Sequence, residues 1–469
     1  MTAGDVEWKG KQVLVLGLGE TGLSMTRWLA RHGARVRVAD TRAAPPQAEA
    51  LAREWPGVPV DTGPFRPASF GGIDLIAISP GVDPRAPEIA AAAGRGVPVA
   101  GDVELFAQAL SFRLTPHPSP LTRVIAITGT NGKSTVTQMA GELCAADGRD
   151  TIVAGNIGLP VLDALASIED GRAMPDAFVL ELSSFQLEST ASLRADAATV
   201  LNVSEDHLDR YDGFAEYAAA KARIFAGGGA QVLNREDRWS RGMAQPGRAV
   251  VTFGLDVPPT PADWGVAMAA GAQTLMRGGV TVLATGALQV VGSHNHVNAL
   301  AAGALAAAIG VGDAAIARGL KAFRGLAHRV EKIAEVNGVA FFDDSKGTNV
   351  GATVAALAGM PMPVVLIAGG DGKGQDFTPL AGVMGGVRGV VLIGRDRERL
   401  AAAIAATGVA VERAEGMDQA VARAYARARE AKAAVLLSPA CASLDMFRNY
   451  VHRAEAFADA VRRLTGGGR

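Results

Sequence analysis

At 469 residues the chain is too long for one ordinary core, and usual domain sizes predict about three domains of roughly 150 residues each. Apolar residues make up 49% and charged residues 20%, a mixture that supports buried cores and excludes a disordered or collagen-like chain. The net charge of −1 removes any general electrostatic reason to bind nucleic acid or an anionic membrane, so anion binding has to be local.

Residues 1–12 carry Asp5, Glu7, Lys9 and Lys11 without an apolar stretch, which argues against a secretory signal. Later apolar runs, such as residues 364–368, are far shorter than a bilayer span. Cys144 and Cys441 are the only cysteines and lack the spacing of a zinc site or disulfide scaffold, so two reduced thiols in a cytosolic protein are expected.

Residues 11–16 form a Val-rich run that predicts a strand and leads into GLGETG, with Gly17, Gly19 and Gly22. Residues 21–32 are amphipathic and end at Gly33, and residues 35–39 read as a second strand ending at Asp40. In such a βαβ unit the glycines let the backbone approach a diphosphate, and the helix N-terminus supplies amide hydrogens and a positive dipole. The loop alone says only that some nucleotide binds. NAD is the obvious competitor, because an acid at this strand end commonly reads a ribose hydroxyl, and a purely structural turn is the plainer alternative. Residues 73–79 predict another strand, broken by Pro80-Gly81 at the end where α/β sheets bind ligands. The prolines of RLTPHPSPL, residues 113–121, mark the best candidate linker.

Residues 123–128 predict a strand, followed by Gly129-Thr130-Asn131-Gly132-Lys133-Ser134-Thr135 and a helical pattern of Val136, Met139, Ala140, Leu143 and Cys144. A lysine and a hydroxyl directly after a glycine, opening a helix, suit β/γ-phosphates and a bound Mg²⁺. The longer Walker pattern is not met, since Ile127 stands where that pattern has its first glycine. Residues 177–180 predict a strand closed by Glu181, which either reaches Mg²⁺ or is an ordinary solvated acid. NVSEDHLD, residues 202–209, gathers acids around His207 and suits a second magnesium or a capped helix start equally. Lys221, within EYAAAKARIF, reads from the residues alone as a solvated surface lysine. Residues 291–309 open with Ser293, His294, Asn295, His296 and Asn298 and continue as an Ala/Leu helix.

A third segment begins near Gly325, with strands predicted at 339–342, 364–368, 390–393 and 434–437. His328 and Arg329 read as an exposed basic pair or, more sharply, as a phosphate contact. Asp343-Asp344-Ser345-Lys346-Gly347-Thr348-Asn349 packs acid, base and hydroxyl groups into one strand-end loop, although an Asx-turn would use some of them. Loops with Lys373 and Ser443 complete the set. All three segments look α/β with ligand loops at strand C-termini, and the expected domains are 1–118, 119–325 and 326–469.

Taken in order, GTNGKST, ELSSFQLE, NVSEDHLDRY, SHNHVNALAA, AHRVE, DDSKGTN, GGDGKGQDF and LSPACASLD resemble the Mur ligases, across all three segments. GLGETGLS, Asp40-Thr41-Arg42 and the pairing of DDSKGTN with SPACASLDMF look like the branch that adds D-glutamate. The resemblance implies a Rossmann-like N-terminal domain for the UDP of the substrate, a central P-loop ATPase-like α/β domain and a Rossmann-like C-terminal domain that brings the amino acid. It also implies ATP-dependent joining of D-glutamate to UDP-N-acetylmuramoyl-L-alanine through an acyl phosphate, in peptidoglycan precursor synthesis, by a cytoplasmic monomer. It turns the first glycine loop towards UDP and away from NAD.

By this resemblance Gly19, Glu20, Thr21, Gly22, Ser79 and Gly81 contact the diphosphate, and Asp40, Thr41 and Arg42 the uracil end. Glu20 stands where the family pattern is apolar, so only its backbone is expected to serve. ATP falls to Thr130, Asn131, Gly132, Lys133, Ser134 and Thr135, with Asn295 and Asn298 near the adenine and Arg329 and Asp344 closing from the third domain. Ser134, Glu181 and His207 are implied for Mg²⁺ at two sites, and Lys221 matches a lysine that carbon dioxide carbamylates into an anion for the second ion. Asn156, Ser183 and His328 join the substrate set. D-glutamate is implied to meet Lys346, Thr348, Lys373, Ser443 and Leu444, with Tyr450 where the family has phenylalanine. Lys133, His207, Lys221 and Asp344 are the implied catalytic groups, with His207 and Asp344 both candidates for positioning or proton transfer. Two rivals stay open. A folylpolyglutamate synthase-like ligase would share the central motifs without needing the first loop, and an NAD-dependent dehydrogenase or nucleotide-binding regulator would leave GTNGKST without a task.

Overall fold

The computed structural model describes residues 8–114, 122–206 and 210–466. Its strands fall into three sheets. The first holds β1 (Gln12–Leu16), β2 (Arg35–Asp40), β3 (Val60–Thr62), β4 (Leu75–Ile78) and β5 (Val99–Ala100), all parallel, in the order β3-β2-β1-β4-β5. Val13 to Leu16 are all buried, as expected where helices cover both faces of a parallel sheet. The order reverses between β1 and β4, so the glycine loop and the turn after β4 meet at the sheet's switch point. There Ser79 Oγ donates to the Gly17 carbonyl at 2.9 Å. A Cβ on Gly22 would lie 1.8 Å from that same oxygen, so only glycine lets the helix Glu20–Arg31 pack this closely.

The second sheet contains β6 (Arg123–Thr128), β7 (Thr151–Gly155), β8 (Ala177–Glu181), β9 (Ala197–Val200), β10 (Ala230–Asn234), β11 (Val250–Phe253), β12 (Trp264–Ala269), β13 (Ala272–Arg277) and β14 (Val280–Ala284). Their order is β14-β13-β12-β11-β10-β9-β6-β8-β7, with an antiparallel meander only at the β12–β14 edge. Ala270 and Gly271 both have positive φ, as a two-residue hairpin loop demands. The third sheet contains β15 (Glu331–Val336), β16 (Val339–Asp343), β17 (Val364–Gly369), β18 (Val387–Ile393), β19 (Val411–Arg413) and β20 (Ala434–Leu437), in the order β15-β16-β20-β17-β18-β19. Only β15 is antiparallel to its neighbour.

Every strand expected from the sequence is present, but the linker expectation needs correction. Arg113 and Leu114 end the helix Asp102–Leu114, and residues 115–121 lie outside the described residues. Both cysteines are buried and unbonded, and no helix among the described residues is long and apolar enough to cross a membrane.

One apolar cluster runs without interruption from the first sheet into the second, from Trp8 through Phe106 and Phe178 to Leu233. Polar groups reinforce it: Ser24 Oγ donates to Asp163 at 2.7 Å, and Glu104 accepts from the Ala191 and Ser192 amides at 2.7 and 2.9 Å. The third sheet has separate clusters of its own.

Candidate active site

β6 delivers the chain to Gly129, and the helix Lys133–Ala146 starts after Gly132, whose φ of 82° is left-handed. A Cβ on Gly132 would meet only the end of the Asn298 side chain, Oδ1 at 2.7 Å, so it is the left-handed backbone rather than space that favours glycine here. Asn202 braces the loop from β9: its Oδ1 accepts from the Asn131 amide at 2.8 Å, and its Nδ2 donates to the Asn131 carbonyl at 3.0 Å. Lys133 Nζ folds inward and donates to the Gly129 and Thr130 carbonyls at 2.9 and 2.8 Å.

Lys221 Nζ donates to the same Gly129 carbonyl at 2.9 Å and lies 4.4 Å from the centre of the Tyr217 ring. At 1% exposure it is not the surface lysine that its local sequence suggested. Tyr217 and Lys221 are one helical turn apart on Phe214–Ala222 and face the glycine loop together. Burial, and then the neighbouring Lys133 charge, holds the Lys221 ammonium well below its ordinary pKa.

β8 ends in Glu181, which is 1% exposed and so not a solvated acid. Its Oε1 accepts from Asn156 Nδ2 at 2.9 Å, whereas Oε2 is buried with no hydrogen-bond partner. A buried carboxylate oxygen left alone is costly, and a cation beside the glycine loop is the group it fits. Glu181 acts electrostatically on both Lys133 and Arg329. Ser183 caps the helix Ser184–Glu188, in a reciprocal box with Gln186. His207 lies outside the described residues.

The third domain closes over this loop. Arg329 Nη2 donates to Ser134 Oγ at 2.8 Å, so the basic pair is not simply exposed. A cavity of about 190 Å³ is lined by Asn131, Gly132, Thr135, Asn295 and Asn298 of the middle domain and by Arg329, Asp344 and Lys346 of the third. Asn202 and His294 line it too, and neither was selected from the sequence. His294 stood in a polar run that could have flagged it; burial holds its pKa down at about 4, so it is neutral.

Burial pushes the Asp344 carboxyl up to about 7, against the opposing effects of Ser438 Oγ, which donates to it at 2.7 Å, and of Arg329. Lys346 Nζ sits 3.9 Å from the Tyr450 ring centre. Burial, then the Arg329 charge, brings its pKa down to about 8. The Tyr450 ring meets His328 edge-on at 6.1 Å, and His328 Nδ1 pairs with Asp343 at 2.6 Å. Thr348, Lys373, Ser443 and Leu444 do not line the cavity. Lys373 and Leu444 are exposed, whereas Ser443 is buried on the loop after β20.

In the first domain Glu20 opens its helix with an exposed side chain, and Thr41, Arg42 and Gly81 are exposed too. Asp40 is turned inward. It accepts from the Leu18 amide at 2.6 Å and from the Arg42 amide at 2.8 Å, and also pairs with the Arg42 guanidinium. Burial opposes its charge, but Arg42 and the two amides outweigh that and hold its pKa at about 2. Asp40 thus pins the glycine loop through its own chain. Because its pKa is depressed on folding, its stabilisation is present above the ordinary carboxylate pKa and is lost as pH falls towards 2. Asp40→Ala should cost about 2 kcal/mol at pH 7 in urea unfolding, and the difference from the unmodified chain should shrink below pH 4.

An inward lysine on a strand–loop–helix turn, a buried carboxylate with one oxygen left without a hydrogen bond and a third-domain arginine bonded to that turn define a nucleotide-phosphate enzyme of three α/β domains. Comparison with known proteins narrows this: the chain belongs to the Mur ligase family, whose members form amide bonds with ATP. The description "Mur ligase MurD-like, N-terminal domain" matches residues 11–101, "Mur ligase middle domain" residues 127–306 and "Mur ligase, glutamate ligase domain" residues 328–441. The chain is 56% identical over 467 residues to the UDP-N-acetylmuramoylalanine--D-glutamate ligase of Thiobacillus denitrificans, covering 98% of both chains. It is 52% identical over 464 residues to the Nitrosomonas europaea protein of the same name, again covering 98% of both. Among solved structures it resembles MurF from Acinetobacter baumannii, with a TM-score of 0.58 at 16% identity over 98% of this chain and 92% of that one. It also resembles UDP-N-acetylmuramate-alanine ligase MurC from Thermotoga maritima, with a TM-score of 0.56 at 18% identity over 97% and 99%. These two likenesses bear on fold alone.

Proposed function

We propose that the chain joins D-glutamate to UDP-N-acetylmuramoyl-L-alanine in peptidoglycan precursor synthesis, with ATP activating the alanyl carboxylate. The carrying observation is the meeting of the middle-domain glycine loop with Arg329, Asp344 and Lys346 of the third domain around one cavity. A carboxylate is too poor an electrophile for an amine at neutral pH. Its oxygen therefore attacks the γ-phosphorus, ADP leaves, and an acyl phosphate forms. The D-glutamate amine then attacks the acyl carbon, phosphate leaves with the C–O bond, and the amine proton goes to a nearby base.

Lys133, with Asn131 to Thr135, cradles the phosphates, and Asn295 and Asn298 take the adenine end. Ser134, Glu181 and His207 would hold Mg²⁺, which supplies charge neutralisation on the phosphates. Asp344 and His207 are the proton-handling candidates; a carboxyl titrating at about 7 suits that work. Lys346, Thr348, Ser443 and Lys373 hold the D-glutamate carboxylates, with Tyr450 and His328 shaping the pocket and Leu444 at its edge. Gly19 to Gly22 and the Ser79-Pro80-Gly81 turn hold the UDP end, and Asn156 and Ser183 the muramoyl end. A buried amine that resists protonation is nucleophilic towards carbon dioxide, so Lys221 becomes a carbamate and releases a proton. On this reading the domains are 1–118, 119–325 and 326–469, in a cytoplasmic monomer.

The decisive experiment supplies ATP, Mg²⁺, UDP-N-acetylmuramoyl-L-alanine and either D- or L-glutamate. Product heavier by one glutamyl group is expected with the D-isomer alone; tight NADH binding without ATP turnover would point instead to a dehydrogenase. The Lys346 ammonium is lost as pH rises through about 8, so the KM for D-glutamate should climb above that pH while the KM for ATP changes less. Initial rates across pH 7 to 9.5 check this.

A further inference from the structure

We propose that Asn349 is a positioning residue that couples the amino-acid pocket to the ATP loop by seating the third domain on Asn131. The inference rests on the ligase reading and adds to it the group through which one substrate site senses the other.

Asn349 and Asn131 form a reciprocal amide pair between domains. Asn349 Nδ2 donates to Asn131 Oδ1 at 3.1 Å, and Asn131 Nδ2 donates back to Asn349 Oδ1 at 3.2 Å. Asn349 is 4% exposed, so its side of the pair is shielded from water, while Asn131 is half-buried at the cavity wall. The Asn131 backbone is already held by Asn202, which fixes where its amide points. On the other side Asn349 Oδ1 accepts from the Ala352 amide at 2.9 Å and caps the helix Val350–Gly359. The next amide, Val350, donates to Gln375 Oε1 at 3.0 Å, and Gln375 Nε2 donates to the Gly372 carbonyl at 3.0 Å, on the loop that carries Lys373. Lys346 and Thr348 precede Asn349 on the same loop. One side chain therefore touches the glycine loop, its own helix and, through a single amide, the loop bearing Lys373.

The surfaces around the pair are cut to fit. A Cβ on Gly351 would approach Ser204 Oγ at 3.1 Å and Asn131 Nδ2 at 3.2 Å, so a larger side chain there would wedge the helix off the loop. Both partners are neutral amides, which fix direction through two bonds without the desolvation cost of a buried charge pair. Coupling between sites of this kind is typically about 5- to 150-fold in affinity.

Asn349→Ser keeps a capping oxygen of equal quality but is too short to reach Asn131. It should leave Tm and the affinity for a non-hydrolysable ATP analogue unchanged, while raising the KM for D-glutamate about tenfold. The analogue should no longer draw fluorescent labels on the middle and third domains together. Gly351→Val should match the serine variant with Asn349 intact. Unchanged D-glutamate KM and unchanged label approach in Asn349→Ser would overturn the proposal, as would a loss confined to ATP affinity, which would make Asn349 a brace for the loop only. If the unmodified chain released no phosphate with D-glutamate, the ligase reading would fall, and the label distances would still decide whether Asn349 seats the domain.

Discussion

Lys133→Ala is expected to reduce ATP-dependent phosphate release by about a hundredfold to a thousandfold, the usual cost of removing one preorganised donor at a site of developing charge. The fold should survive, because the ammonium is buried and its pKa is already lowered by burial, so alanine removes a charge the interior does not favour. Arginine is not expected to substitute. Lys133 Nζ is a point donor set between carbonyls at 2.9 and 2.8 Å, and a planar guanidinium on a different stem cannot copy that placement. Calorimetric titration should find UDP-N-acetylmuramoyl-L-alanine bound as before, since the site proposed for its UDP end is in the first domain. A Lys133→Ala chain that consumed nucleotide at the original rate would remove the foundation of the proposed chemistry.

Lys221→Ala is expected to lose about a hundredfold in turnover, for a different reason. As an ammonium, Lys221 competes with Lys133 for the Gly129 carbonyl and adds like charge beside it. The proposed carbamate would reverse that sign, turning repulsion of the Lys133 ammonium into attraction and supplying anionic oxygen to a magnesium ion. Activity of the unmodified chain should therefore fall in buffer stripped of carbon dioxide and return with bicarbonate, and Lys221→Ala should respond to neither treatment. A carbon-13 carbamate signal from labelled bicarbonate, absent in the variant, supplies the direct readout. Indifference of the unmodified chain to carbon dioxide would dispose of the carbamate.

Both residues bear on how far the sequence could be read. Lys133 was visible because strand, glycine turn and helix pattern agree within a dozen residues, and local agreement of that kind survives folding. Glu181 was visible as a strand-end acid, but its burial was not, since that depends on β7 and β6 flanking β8. Lys221 was legible only through family resemblance. Its helix carries alanines on every side, so no apolar stripe marks which face turns inward, and burial came from a glycine loop 92 residues earlier. The Asn131–Asn349 pair, 218 residues apart, left no local trace at all. The β12–β14 meander went unpredicted for a milder reason: its outer strands expose part of both faces, which blurs the alternation that betrays a strand. Asp40 was read as a ligand contact, and the structure adds the loop-pinning job that its strand-end position concealed.

The apolar seam joining the first two sheets has a thermodynamic corollary. Residues on either side of that seam cannot be exposed separately without opening shared greasy surface, whereas the third sheet keeps its own oil in clusters that neither of the other sheets enters. Melting should accordingly proceed in two cooperative blocks rather than one, and a single midpoint would misdescribe this chain.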